Sequence, residues 1–411
     1  MHSDVVLWLS LVGGALAAGA CSVALLVVTR RFEPFVLVLA LGAASLSGYS
    51  LVTVVQRLDR PSVALYGAAF ALASAGGGYA LASTLLLELR TRVRSLGLPD
   101  EVPPAVPETA VLLLANVEPP TYSASATAAV LSELAEEGYL DASVGAMPLL
   151  FFAQKARYNA IGGTSPALSE FSRVRDSVES ALREQAVKVD WATCIGPRRL
   201  AEQALRAVAA GHHDLVVVEL AVATSLPMTA AKNEVDLLRL DDLGVDVRYA
   251  GGLGSSERVT SAVANAILER AGEPEGCGVV LVGHGQPRER SRRDPVVDEM
   301  ETMFLNRLRM MLVERGMPES GVRVAWAEWV EPDVTSAVRH LAALGCTRVL
   351  VSPAVYPLDT LGTRLDLEAA VRRARVEESV STAVLPAWRD NPAVIAEIRA
   401  LVLAAMAPTG H

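Results

Sequence analysis

The chain has 411 residues, 51% of them hydrophobic and 20% charged, and its mean hydropathy is +0.34. A soluble globular chain of this size usually sits below zero, so part of the molecule belongs outside water, and the charge content excludes a disordered tail protein. A net charge of −9 argues against a general nucleic-acid binder. Four widely separated cysteines (Cys21, Cys194, Cys277, Cys346) offer no disulfide framework, CxxC metal knuckle or iron–sulfur pattern, which fits a reducing compartment.

In chain order, the apolar excess comes first. Val5–Thr29, Phe35–Val55 and Ser62–Leu87 carry no charge, and each reaches the roughly 20 residues a helix needs to cross ~30 Å of hydrocarbon. Three membrane helices are therefore predicted within residues 1–95. Gly13-Gly14-Ala15 and Gly76-Gly77-Gly78 would let them approach closely. Ala18-Gly19-Ala20-Cys21 faintly resembles a lipoprotein cleavage site. The preceding stretch has Asp4 and no Lys or Arg, however, and the apolar sequence continues past Cys21. Arg30, Arg31, Arg90, Arg92 and Arg94 on one side outnumber Arg57 and Arg60 on the other. By the positive-inside rule the C-terminal part faces the cytoplasm, as in a multi-pass protein of the cytoplasmic membrane.

Residues 96–107 are proline-rich and read as a linker. Beyond them, β-branched runs alternate with helical patterns. Strands are predicted at Ala110–Ala115, Leu215–Leu220, Asp246–Tyr249, Gly278–Val282, Val322–Trp326, Val349–Ser352 and Ala383–Leu385. Helices are predicted at Ser123–Glu137, Ala167–Gln185, Arg198–Ala210, Ser255–Ala271, Pro295–Arg315, Asp333–Leu344, Asp366–Ala374 and Pro392–Met406. Such alternation implies α/β lobes with parallel sheets. The chain also echoes itself. Pro197 and Pro332 each open a helix that closes at Gly211 or Gly345, and a β-branched strand follows each time. Two lobes, 108–272 and 273–411, are expected, the first carrying an insertion. Ligands of such sheets lie at the carboxyl ends of the strands.

Of six histidines, His2 and His411 are terminal, His212 and His213 fall in a helix-to-strand turn, and His340 lies on a helix. His284 directly follows the strand Val279-Val280-Leu281-Val282-Gly283, at the crevice end, where an imidazole can bind a divalent metal or take a proton near neutral pH. The other unusual string is Arg157-Tyr158-Asn159-Ala160-Ile161-Gly162-Gly163-Thr164-Ser165-Pro166, read as a tight turn before a helix starting near Ala167. Met147–Phe152, upstream, reads as an apolar stretch in a loop. Beside Arg157 and Tyr158 it would suit a flat, greasy ligand that carries carboxylates.

That string resembles the R-Y-x-x-I-G-G-x-S-P segment of ferrochelatases, and His284-Gly285-Gln286-Pro287 with Arg288 resembles their H-G-x-P segment. The resemblance spans roughly residues 108–406. The C-terminal half is also similar to the small chelatases for sirohydrochlorin and cobalt, through Val282-Gly283-His284-Gly285 and Ala327-Glu328-Trp329-Val330-Glu331-Pro332. It implies two Rossmann-like lobes around a tetrapyrrole, behind three transmembrane helices. The implied activity is Fe²⁺ insertion into protoporphyrin IX or coproporphyrin III for haem biosynthesis, with iron as substrate and no permanently bound cofactor. His284 would act as base and metal escort. Arg157 and Tyr158 would border the ring, with Arg157 pairing a propionate, and Ile161, Gly162, Gly163, Thr164 and Ser165 would shape the turn. The implied partners are porphyrin or haem and the membrane, with self-association through the membrane helices.

The chain departs from the family at two places. Val351-Ser352-Pro353-Ala354-Val355-Tyr356-Pro357-Leu358-Asp359-Thr360-Leu361-Gly362 keeps the aspartate as Asp359 but has Gly362 where ferrochelatases carry a glutamate and the small chelatases a histidine. Asp359 is the expected substitute acid, with Asp366, Glu368 and Glu219 behind it. Asn116-Val117-Glu118-Pro119 lacks the glycines of the family's L-G-G-P turn. The alternatives to a ferrochelatase are a non-catalytic tetrapyrrole or metal binder at the membrane, favoured by Gly362, and a sirohydrochlorin or cobalt chelatase.

Overall fold

The computed structural model describes residues 2–58, 61–86, 103–136, 142–194, 198–288, 291 and 295–407. Arg60, Arg90, Arg92, Arg94, most of the linker (96–102), Pro197 and His411 lie outside the described residues. The chain divides into two compact units, Met1–Arg94 with Thr121–Thr164, and Ser95–Pro120 with Ser165–His411. Residues 121–164, expected in the first lobe, group with the N-terminal helices, and the rest of the two expected lobes falls in one unit.

In the first unit, α1 (His2–Val27), α2 (Glu33–Leu58) and α3 (Pro61–Leu85) contain three stretches long and apolar enough to cross a membrane. Large apolar side chains such as Leu9, Phe35, Leu65 and Leu72 point outward, the reverse of a water-soluble bundle. Glycine sets the spacing between α1 and α3. A Cβ at Gly19 would come within 1.9 Å of the Ala75 carbonyl oxygen, and one at Gly78 within 2.1 Å of that of Leu16. Two more helices complete the unit, α4 (Ala124–Glu136) and α5 (Met147–Ala160). Met147–Phe152, expected as a loop, is the opening of α5. Pro148 at its first turn is a helix-start signal that the apolar run obscured. Phe151 and Met147 of α5 pack with Val23 and Val27 of α1, Leu86 and Ala128 in one small core.

The second unit holds two four-stranded parallel sheets. The first has the order β2–β1–β3–β4, from β1 (Thr109–Ala115), β2 (Val187–Thr193), β3 (Asp214–Glu219) and β4 (Asp246–Ala250). The second has the order β6–β5–β7–β8, from β5 (Cys277–Gly283), β6 (Val322–Trp326), β7 (Arg348–Ser352) and β8 (Ser381–Val384). The two orders are the same permutation. The likeness extends to loop details: Thr193 N donates to Arg198 O, and Trp326 N to Pro332 O, both at 3.0 Å. Strands β1 and β5 are buried along their whole length, as expected of central parallel strands. Helices α6 (Ala167–Ala181), α7 (Leu200–Ala209), α8 (Leu226–Asp236), α9 (Glu257–Ala271), α10 (Val296–Glu314), α11 (Val334–Ala343), α12 (Leu367–Ala374) and α13 (Pro392–Met406) complete the unit. Strand β2 and helix α8 had no counterpart in the sequence reading. In β2, Lys188 and Asp190 interrupt the apolar run because it is an edge strand, exposed at its start.

Candidate active site

His284 leaves the carboxyl end of β5, the central strand of its sheet, as expected. Its surroundings include a residue that sequence reasoning missed. Glu301 on α10 is buried, and its carboxylate accepts three hydrogen bonds from the histidine turn. His284 N donates at 3.0 Å, Gly285 N at 3.5 Å, and the ring Nδ1 lies at 2.9 Å. A carboxylate that is ionised only accepts, so in that state the contact makes Nδ1 the donor and leaves the lone pair to Nε2. The His284 side chain is 51% exposed and that of Glu301 only 7%, so a buried acid holds an accessible imidazole. The signal for Glu301 is its register. Phe304, Leu305, Leu308 and Leu312 form the buried face of α10, and Glu301 continues that face one turn earlier. A carboxylate at a core position needs a partner.

The His284 ring lies against Tyr356, with centroids 4.0 Å apart and planes inclined by 40°. Burial, with the charges of Glu301, Glu328 and Asp366 nearby, pushes the Tyr356 phenol well above its ordinary range, so it stays protonated. Tyr356 also lines a cavity of about 80 Å³ with Glu328, Asp333, Gly362, Asp366 and Arg373. The acid-bearing segment opens with a reciprocal threonine pair. Thr360 N donates to Thr363 Oγ1 at 2.8 Å, and Thr363 N to Thr360 Oγ1 at 3.3 Å. A π-helical turn over Gly362–Asp366 follows and leads into α12. A Cβ at Gly362 would have only Thr360 Oγ1 at 3.4 Å and Asp366 Oδ2 at 3.8 Å for neighbours. The Asp366 carboxylate thus stands beside the place that a side chain at 362 would leave.

Asp359 is placed differently from what its sequence position implied. It is buried; Ala387 N donates to its Oδ1 at 2.9 Å, and the Arg389 guanidinium pairs with its Oδ2. Its backbone N–H donates to Glu170 Oε2 at 2.9 Å, and Glu170 in turn faces Arg389 Nε at 3.2 Å. Burial pushes the Glu170 carboxyl up; the Asp359 N–H hydrogen bond opposes the shift, the Asp359 charge adds to it, and the Arg389 and Arg173 charges oppose it. One Asp359 oxygen is thus held by a backbone amide and the other by the Arg389 guanidinium. Glu219 is a paired buried acid, with Lys232 Nζ and Thr224 Oγ1 each at 2.6 Å. Glu368 faces Arg372 across one helical turn at 3.6 Å.

Glu118, in the glycine-free segment after β1, forms a tether. It accepts from the Ser165 hydroxyl and from Leu361 N at 2.8 Å. Ser165 is buried, and Ser165 N bonds to Pro120 O at 2.8 Å. The remaining residues expected to meet the ring belong to the first unit. Arg157 and Tyr158 lie on the last turn of α5. Arg157 Nη1 donates to Gln154 at 3.1 Å, and Tyr158 is buried. Gly162 and Gly163 have φ of 83° and 91°, so the turn expected there is left-handed, and Thr164 is exposed. His212 and His213 bond to the Glu108 and Pro103 carbonyls, and His340 to Arg323. Among the described residues, no group of three or more His, Cys, Asp or Glu is arranged to hold a metal ion.

The sequence profile of the ferrochelatase family matches residues 147–406, more than half of the chain. The chain belongs to the ferrochelatase family. Membership supports a metal chelatase acting on a tetrapyrrole. No curated protein sequence matches the chain. Among solved structures, SirB from Bacillus subtilis with Fe³⁺ is 16% identical, covering 73% of this chain and 96% of that one, with a TM-score of 0.47. The sirohydrochlorin chelatase SirB from Bacillus subtilis subspecies spizizenii, in complex with cobalt, is 13% identical over 72% and 93%, with a TM-score of 0.44. A multi-domain protein from Deinococcus radiodurans with structural similarity to chelatases is 16% identical over 74% of this chain, with a TM-score of 0.44. This chain spans 56% of its length.

Proposed function

We propose that the protein inserts Fe²⁺ into a porphyrin, protoporphyrin IX or coproporphyrin III, at the cytoplasmic face of the cell membrane. The observation that carries this reading is the His284–Glu301 pair: an exposed imidazole at a strand end whose Nδ1 is locked to a buried carboxylate. Metallation replaces two pyrrole protons with one divalent ion, so a base must meet the ring while the ion sheds water. His284 Nε2 takes one of the two pyrrole protons, Glu301 stabilises the positive charge that then forms on the imidazole, and the second proton leaves to the Asp366 carboxylate or to water as the ion binds. Asp366 supplies the carboxylate that residue 362 lacks, from beside the Gly362 position. The cavity lined by Gly362 and Tyr356 has room for several waters, with Glu328, Asp333, Asp366 and Arg373 on its otherwise apolar wall to hold them, and would take up the released protons. Arg157 pairs a ring propionate, in a bidentate geometry that guanidinium favours. Asp359 belongs to the supporting network and not to the reacting centre.

Full-length protein in detergent, given porphyrin and Zn²⁺ or Fe²⁺, reports metallation by absorbance and fluorescence. Wild type is expected to metallate and His284→Ala to lose at least a hundredfold in rate, while equal rates would overturn the assignment. One observation favours a second reading, a tetrapyrrole-binding protein without turnover: no carboxylate is carried at position 362. A shifted porphyrin spectrum with no metallation by wild type would establish it.

A further inference from the structure

Helix α1 ends with no basic residue in its last turn, although its final carbonyls form the negative end of the helix dipole and lack intrahelical partners. The cation is supplied by α5. Lys155 is buried, and Nζ donates to Leu25 O at 2.7 Å and to Val28 O at 3.2 Å and pairs with Glu33 Oε1 at 3.0 Å. An ammonium has three hydrogens, and here three acceptors take them. Glu33 opens α2, so one side chain of α5 neutralises the end of α1 and the start of α2 together.

A second contact follows the same line. The buried Tyr122 hydroxyl donates to Val27 O at 2.8 Å, and the Tyr122 ring meets that of Tyr158 edge-on at 6.2 Å. The Tyr158 carbonyl in turn accepts from Ile161 N at 3.2 Å and Gly163 N at 2.8 Å, which sets the Gly162–Gly163 turn. The end of α1 is thus joined to that turn through a short run of direct contacts.

We infer that the membrane helices are the template on which the Arg157–Thr164 segment is shaped, with Lys155 as its positioning residue. The helices are more than an anchor: the C-terminal end of α1 supplies acceptors without which Lys155 and Tyr122 would be buried and unsatisfied. The functional half of this inference rests on the proposed binding of a tetrapyrrole by that segment; the structural half does not.

Both halves are testable in the full-length protein in detergent. Lys155→Met is expected to speed amide hydrogen exchange across 147–160 at least tenfold while leaving the β5 strand (277–283) unchanged. It should raise KM for porphyrin at least fivefold with kcat within twofold, and Lys155→Arg should recover most of both. Unchanged exchange across 147–160 overturns the inference, as does a loss confined to kcat. If Lys155→Met does not fold, Glu33→Gln, which removes the negative charge from one of the three acceptors, is expected to give the same pattern at smaller size, and its failure to do so is equally decisive. If wild type binds no porphyrin, the functional reading fails while the exchange result still decides the structural one.

Discussion

Replacing Glu301 by glutamine tests the reading of the His284 turn with the least change of shape. In the structure the carboxylate accepts from His284 Nδ1 at 2.9 Å and from His284 N at 3.0 Å. A glutamine keeps one acceptor oxygen, which the backbone N–H can retain, and turns its NH₂ toward Nδ1. The imidazole then has to accept at Nδ1 and carry its hydrogen on Nε2, the nitrogen that should receive a pyrrole proton. Loss of one charge-assisted hydrogen bond costs about 1.5–3 kcal/mol, or roughly 10- to 150-fold in rate. Zn²⁺ insertion, followed as the fluorescence of the product, is expected to fall by that factor at unchanged porphyrin affinity. A Glu301→Gln protein with wild-type rate, alongside an inactive His284→Ala protein, would refute the tautomer argument. The histidine would then matter for a reason that Glu301 does not supply.

Asp359→Asn keeps the acceptor for Ala387 N but weakens the ion pair with Arg389. After discounting for Arg389, whose side chain is 35% exposed, the cost is about 2 kcal/mol, read as a lower thermal midpoint. Metallation per folded molecule should stay within threefold, and a loss above thirtyfold would return Asp359 to the reacting centre. Asp333 caps α11 by accepting from Ser336 N at 2.7 Å, so Asp333→Ala should cost about 1 kcal/mol at neutral pH. Burial alone would raise the Asp333 carboxyl, but the Ser336 hydrogen bonds and the charges of Arg373 and Arg339 bring it below its ordinary 3.8. A carboxyl lowered by folding stabilises above its unfolded value and loses that contribution as pH falls through the folded one. The difference between wild type and Asp333→Ala should therefore shrink below pH 3.8, and a gap that widens in acid would contradict the cap.

Periodicity made much of this fold legible. The three apolar runs became α1–α3, and seven of the eight strands fell where β-branched runs stood, because central parallel strands are apolar throughout. The failures have physical reasons. Strand β2 carries Lys188 and Asp190 because its outer side meets solvent. Helix α5 hides because Phe151 and Phe152 are poor helix signals and its buried face, Met147, Phe151, Lys155 and Tyr158, includes a lysine that makes sense only once the end of α1 is present. At the site, His284 was legible from the strand before it. Glu301 was visible only as a misplaced charge in a helical pattern, and its partner seventeen residues away needed the structure. What Asp359 pairs with was not legible, because position in a motif says nothing about a carboxylate's partners; Arg389 and Glu170 come from distant segments.

The vacant position at Gly362 allows a substitution that separates an enzyme with a relocated acid from a protein that has lost its acid. A Cβ there would meet only Thr360 Oγ1 at 3.4 Å and Asp366 Oδ2 at 3.8 Å, both ordinary contacts, so Gly362→Glu fits sterically. It lies at the start of a helical segment, where a carboxylate is favoured by the dipole. The new charge would stand close to Asp366. Two carboxylates about 4 Å apart repel by up to ~4 kcal/mol at an effective dielectric of 20, and less where solvent reaches them, as it does Asp366. One of the pair would then be driven to protonate. If Asp366 already performs the work, the added glutamate duplicates it, and metallation should change by less than threefold or fall. If the acid is simply missing, restoring one should raise the rate by the 10²–10⁴ typical of a positioned acid–base group. The proximity of Asp366 to the vacant position predicts the first outcome, and a hundredfold gain in Gly362→Glu would show that no carboxylate of the wild-type chain reaches the metal.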